Sequence, residues 1–135
     1  MTPAEAFAAL ALVAVACDGS LERDEAHALR QQLEARTPYC NLSEASMGAM
    51  FDDLLDLLRR DGWQGLLKRA LPALTAEQQE TGLALAAQLV HCDRLVQPEE
   101  LTMLDSMAAQ MNLQPGRASQ ILDVIRVLNR DSLAG

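Results

Sequence analysis

Ala16-Cys17-Asp18-Gly19-Ser20-Leu21-Glu22-Arg23-Asp24-Glu25 is the stretch on which the fold turns. Ahead of it, Ala6 to Cys17 is an unbroken apolar run, too rich in Ala and Leu for a strand and suited to a buried helix. Asp18-Gly19-Ser20 then breaks the helix. From Glu22 the pattern resumes, with Ala26, Leu29 and Leu33 at three- and four-residue spacing, which predicts a second helix to about Arg36. The segment is therefore a helix junction: an Asp at the end of one helix, a tight turn carrying the apolar Leu21, and Glu25 in the first turn of the next.

The same arrangement recurs 75 residues later. Leu10 corresponds to Leu85, Ala11 to Ala86, Cys17 to Cys92, Asp18 to Asp93, Leu21 to Val96, Glu25 to Glu100 and Leu29 to Leu104. The chain thus carries an internal repeat of one helix junction, an Asp followed seven residues later by a Glu.

The other helices can be read outward from these two junctions. Thr2, Pro3 and Glu5 form a capping box with proline in the first turn, which starts the first helix. Pro38 disfavours helical geometry at Thr37, so Thr37 to Leu42 reads as a loop. Ser43 caps a third helix with the stripe Met47, Met50, Phe51, Leu54, Leu55 and Leu58, and Gly62 is its natural stop after Asp61. A short fourth helix follows from about Trp63 to Leu71, before Pro72. Thr75 and Gln78 open a fifth that ends near Cys92-Asp93, with Leu85, Ala86, Leu89 and Val90 inward. Pro98 starts a sixth, with Leu101, Leu104, Met107, Ala108 and Met111 as its stripe, and Pro115 a seventh, with Ile121, Leu122, Ile125 and Leu128 inward. No segment alternates at period two, so no strand is expected. The expectation is an all-α fold: one compact domain over residues 1–135, core about 3–129, of about seven helices with a pseudo-twofold junction repeat.

Composition bounds the function. The 135 residues suffice for one core without staples. With only four aromatics (Phe7, Tyr39, Phe51 and Trp63), Leu, Ala, Val and Met must fill it. A net charge of −8 repels phosphate backbones and anionic headgroups, which argues against nucleic acid and bare membranes and leaves cations or a basic partner surface. Three cysteines without a CxxC pair suggest neither a disulfide framework nor a zinc ribbon, and a reducing compartment is expected. Ala14-Val15-Ala16-Cys17 has a faint likeness to a lipoprotein cleavage site, but no Lys or Arg precedes the apolar run and Glu5 lies at its edge. At 12 residues the run is also short of the ~20 that span a bilayer.

The first junction, Ala16-Cys17-Asp18-Gly19-Ser20-Leu21 with Glu25, resembles the A-x-D-G-x-[IL]-x-x-x-E signature of the TerB tellurite-resistance family. Cys92-Asp93 to Glu100 is similar to its second, weaker copy. The likeness extends in helix order from about Pro3 to Asn129. It implies an all-helical cytoplasmic protein linked to tellurite and other stress responses, whose paired acidic residues bind a metal cation. Related domains accompany J-domain co-chaperones as interaction modules. The second copy departs in having Arg94 where the first has Gly19, and Gln97 and Pro98 in its turn, so a lopsided site is expected.

If the junctions pack side by side, Asp18, Glu25, Asp93 and Glu100 offer oxygen ligands for Ca²⁺ or Mg²⁺ in preference to Zn²⁺. The structural alternative is that Glu25 and Glu100 cap helix starts while Asp18 and Asp93 bond their own turns. Cys17, His91 and Cys92 add soft donors, but their spacing does not support zinc, and a reduced Cys at the end of an apolar helix behaves as a small hydrophobe. His27 and Cys40 are isolated. Arg59-Arg60 and Lys68-Arg69 put basic charge around Gly62-Trp63, as a solvated helix end or a contact patch.

No nucleophile has an evident base partner and no glycine-rich phosphate loop is present, so no enzyme is expected. The leading expectation is a non-catalytic, soluble, TerB-like module of the cytoplasm that binds an unidentified protein partner, without membrane insertion or nucleic acid. The alternative is a metal-ion binding or sensing protein in which cation occupancy at Asp18, Glu25, Asp93 and Glu100 is the function.

Overall fold

The computed structural model describes residues 1–92 and 96–135. The order is α1 (Pro3–Ala16), α2 (Arg23–Glu34), a 3₁₀ turn (Tyr39–Asn41), α3 (Glu44–Ala70), a second 3₁₀ turn (Leu71–Ala73), α4 (Ala76–His91), α5 (Pro98–Gln110) and α6 (Arg117–Leu128). The described residues are all helical, without strands, and form one compact domain.

The caps form as their residue types require. Glu5 N–H donates to Thr2 Oγ1 at 3.2 Å while Glu5 Oε1 accepts from Thr2 N–H at 3.0 Å, and Thr75 with Gln78 repeats the exchange at 3.2 and 2.9 Å. Ser43 Oγ accepts from Ser46 N–H at 3.1 Å to start α3.

Helix α1 is the centre of the molecule. Ala8 to Ala14 are buried without interruption, so every face of the helix is covered, and α2, α3, α4 and α5 all pack against it. Its alanines allow close approach. At Gly82 on α4, an added Cβ would lie 2.6 Å from Leu10 Cδ1. The corresponding helices of the repeat, α1 and α4, therefore pack on each other, with α2 against the first and α5 against the second.

The expected stop at Gly62 is present: within the span Glu44–Ala70, Gly62 (φ 73°, ψ 170°) takes a non-helical conformation open to glycine at little cost, so residues 44–61 and 63–70 are two helices meeting at a kink. Two expectations need correction. Pro115 does not start the last helix. It sits with Gly116 (φ 82°, ψ −11°) in a turn closed by Arg117 N–H donating to Gln114 O at 3.0 Å, so α6 begins at Arg117. Leu128 is 68% exposed, and Ile121, Leu122 and Ile125 are only half-buried, because α6 packs chiefly on α4 at the edge of the bundle. Leu101, placed in the α5 stripe, is likewise exposed.

Gln79 is the one buried polar side chain among the described residues. Its Nε2 donates to Leu71 O at 3.0 Å and Leu74 O at 3.4 Å, and its Oε1 accepts from Asn112 N–H at 2.9 Å. It ties the second 3₁₀ turn to the chain leaving α5. Gln79→Leu strands these backbone groups and should lower stability by about 2–3 kcal/mol, read as a reduced urea midpoint at unchanged slope. A second comparison isolates the α1–α4 contact. Nothing lies within 4 Å of a Cβ at helical Gly48, so Gly48→Ala should raise stability by about 0.5–1 kcal/mol, whereas Gly82→Ala should lower it by collision with Leu10. Thermal melts of the two variants should move in opposite directions.

Candidate acidic cleft at the helix junctions

At the end of α1, Gly19 N–H bonds Ala16 O at 2.8 Å and Gly19 takes φ 88°, which turns the chain away from the helix. Asp18 holds that turn. Its Oδ1 accepts from Ser20 N–H at 3.0 Å, and both carboxylate oxygens lie within 3.2 Å of Ser20 Oγ. Leu21 and Val96, the apolar residues of the two turns, both pack half-buried against the core. Arg59 on α3 donates through Nε to Gly19 O at 3.3 Å, so one member of the basic run reaches the junction from outside.

The two glutamates occupy equivalent positions. Glu25 Oε1 accepts from Glu22 N–H at 3.1 Å, and Glu100 Oε1 accepts from Gln97 N–H at 2.9 Å. Each carboxylate bonds an N–H at the start of its helix and sits near the positive helix end. The structural reading of these glutamates is thus directly visible.

The junctions also converge. One cleft of about 530 Å³ is lined by Cys17, Asp18, Glu22 and Glu25 from the first junction and by Gln97, Glu99 and Glu100 from the second. Asp93, the fourth residue of the expected set, lies outside the described residues. The electrostatics carry the mark of this convergence. The Glu25 carboxyl is raised above its ordinary value, first by burial and then by the charges of Glu22, Asp18 and Glu100, against the lowering effect of the Glu22 N–H. The Cys17 thiol is raised by burial and then by Asp18, Glu100 and Glu99, so it remains protonated at neutral pH.

The donor set of the cleft is therefore oxygen, suited to a hard cation and poor for zinc. His91 lies elsewhere, against Val96, Arg126 and Asn129, and the Cys92 Sγ–H points to Leu89 O at 3.3 Å. Among the described residues, no three His, Cys, Asp or Glu side chains are close enough together to form a metal coordination sphere. What the structure shows is a shared acidic field in which individual carboxylates bond turn and helix-start N–H groups.

Glu22, Glu99 and Gln97 line the cleft without having been expected there. The three-residue spacings Glu22 to Glu25 and Gln97 to Glu100 are capping-box spacings, and place both residues of each pair at a helix start. The basic run is partly neutralised by Asp61, which pairs with Arg60 at 3.2 Å and Arg69 at 3.7 Å on the exposed surface. Trp63 packs half-buried against the core.

A raised carboxyl pKa has a definite sign. Because folded Glu25 holds its proton more tightly than the unfolded chain does, its ionised form costs stability above the raised pKa, and the cost disappears once both states are protonated in acid. Glu25→Gln keeps an oxygen acceptor for Glu22 N–H and should therefore melt higher than the parent at neutral pH. That advantage should shrink as the pH falls into the carboxylate range. Melting curves from neutral pH down to pH ~4 check it, spanning the ordinary glutamate value.

Compared with protein-family models, curated proteins and solved structures, the chain matches none.

Proposed function

We propose that this chain is a non-catalytic, TerB-like interaction module of the cytoplasm that engages a basic segment of a partner protein through the acidic cleft. The observation that carries the reading is the composition of that cleft: both helix junctions contribute acidic side chains and, among the described residues, no Lys, Arg or His lines it. A surface of one sign speeds encounter with a partner of the other and selects against wrong partners. Among the described residues the same cleft offers no nucleophile with a base, since the Cys17 thiol is held protonated and no imidazole lines the wall. Through the TerB resemblance, the module's setting is the response to tellurite and related stresses.

Its test is capture from native lysate with immobilised protein, comparing the parent with an Asp18→Asn, Glu22→Gln, Glu100→Gln triple variant. The expected result is a specific partner with a basic surface, retained by the parent at low salt and lost with the variant. A lysate that yields nothing specific, or a partner indifferent to the three substitutions, overturns the reading.

A second reading is a metal-ion binding or sensing protein: the charges of Glu22, Asp18 and Glu100 add to burial in raising the Glu25 carboxyl, and a divalent cation that drew Asp18, Glu25 and Glu100 together with Asp93 would offset that added share, occupancy then being the signal. Ca²⁺ or Mg²⁺ should raise the melting temperature with a concentration dependence that Asp18→Asn with Glu100→Gln abolishes. Unchanged melting with Ca²⁺, Mg²⁺, Mn²⁺ and Zn²⁺ in excess removes this second reading and leaves the first standing.

A further inference from the structure

A second concavity lies at the other end of α1. Phe7 and Cys17 are ten residues apart on the helix, about 15 Å along its axis, so this groove is remote from the acidic cleft. Its volume is about 540 Å³, within the range that holds a small organic molecule. Ala4, Phe7, Pro38 and Leu74 make its lining largely apolar. Its wall is well anchored: the Tyr39 ring is buried, stacks on Phe7 at 6.3 Å between centroids, and its hydroxyl donates to Ala4 O.

The polar groups of the groove fall into two sets. Gln78 and the hydroxyls of Thr81 and Thr37 already have partners, in Thr75, Glu77 O and the Cys40 sulfur. The side chains of Arg36 and Glu77 take no hydrogen bond or ion pair among the described residues. The Arg36 guanidinium lies 5.7 Å from the Phe7 ring centroid, and among the described residues it pairs with no carboxylate. The Glu77 carboxylate takes no hydrogen bond or ion pair among them either, although it lines the same groove. Two opposite charges that border an apolar groove without pairing with each other are complementary to a ligand that carries both.

We propose that this groove binds a free α-amino acid with a large apolar side chain. Arg36 takes the carboxylate, Glu77 the ammonium, and Phe7, Pro38 and Leu74 the side chain. The inference does not rest on the acidic cleft and stands or falls separately from it. A guanidinium–carboxylate contact gives direction, while the apolar surface removed from water supplies affinity. Both charged groups are solvent-exposed, so the affinity is modest.

The test is a titration of the full ¹⁵N-labelled chain followed by amide shifts, with L-phenylalanine, phenylacetate, phenethylamine and glycine as probes. L-Phenylalanine should move the amides of Ala4, Phe7, Arg36, Tyr39 and Glu77 and bind more tightly than the three probes that lack one of its parts. Arg36→Gln should weaken L-phenylalanine and phenylacetate by about tenfold or more and leave phenethylamine unchanged, and Glu77→Gln should show the mirror pattern. Both residues are exposed, and unchanged shifts elsewhere in the spectrum confirm the fold of each variant. The proposal is overturned if L-phenylalanine leaves these amides unmoved up to its solubility limit, if all probes bind alike, or if Arg36→Gln has no effect.

Discussion

The rest of the structure depends on the complete burial of α1. A helix covered on every face leaves no room for a polar side chain along Ala8 to Ala14, and it requires neighbours on all sides. Four other helices supply that cover, and the small side chains of α1, opposed by Gly82, let α4 approach closely. The price is that α1 can meet solvent and carry chemistry only at its two ends. The acidic cleft is built at its C-terminal end and the Arg36–Glu77 groove at its N-terminal end, and both are held in place by the same rigid rod.

The acidic junctions have a structural task before any other. Asp18 closes the turn after α1, and Glu25 and Glu100 bond N–H groups at the starts of α2 and α5. Because α1 and α4 are packed against each other, satisfying these local requirements twice brings both sets of carboxylates to one cleft. At Glu25 the carboxyl is raised, first by its partial removal from water and then by the charges of Glu22, Asp18 and Glu100.

Four of the arginines are placed differently. Arg59 reaches the backbone of the first turn, Arg60 and Arg69 share Asp61, and Arg117 meets Glu80 across the α4–α6 contact. Each is anchored at the surface by a partner outside the cleft. Among the described residues, the junction cleft is lined by acidic and not by basic side chains.

Local signals in the chain were sufficient for the helix class, for the caps at Thr2, Ser43 and Thr75, and for the turn at Asp18-Gly19-Ser20, because each is settled by residues within three or four positions of one another. The 75-residue correspondence likewise identified the junctions that meet. Periodicity misled only where neighbours decide: Leu128 and Leu101 lie on apolar stripes, yet they stand exposed because the elements beside them leave them partly uncovered. Pro115 looked like a helix start until Gly116 placed it in a turn. Sequence by itself determined which residues could cap, break or line a helix, since those are properties of a few adjacent side chains. Only the tertiary structure decided that Glu22, Glu25, Glu99 and Glu100 share one field and that Arg36 and Glu77 border one groove without pairing, since distance between helices is set by how they pack around α1.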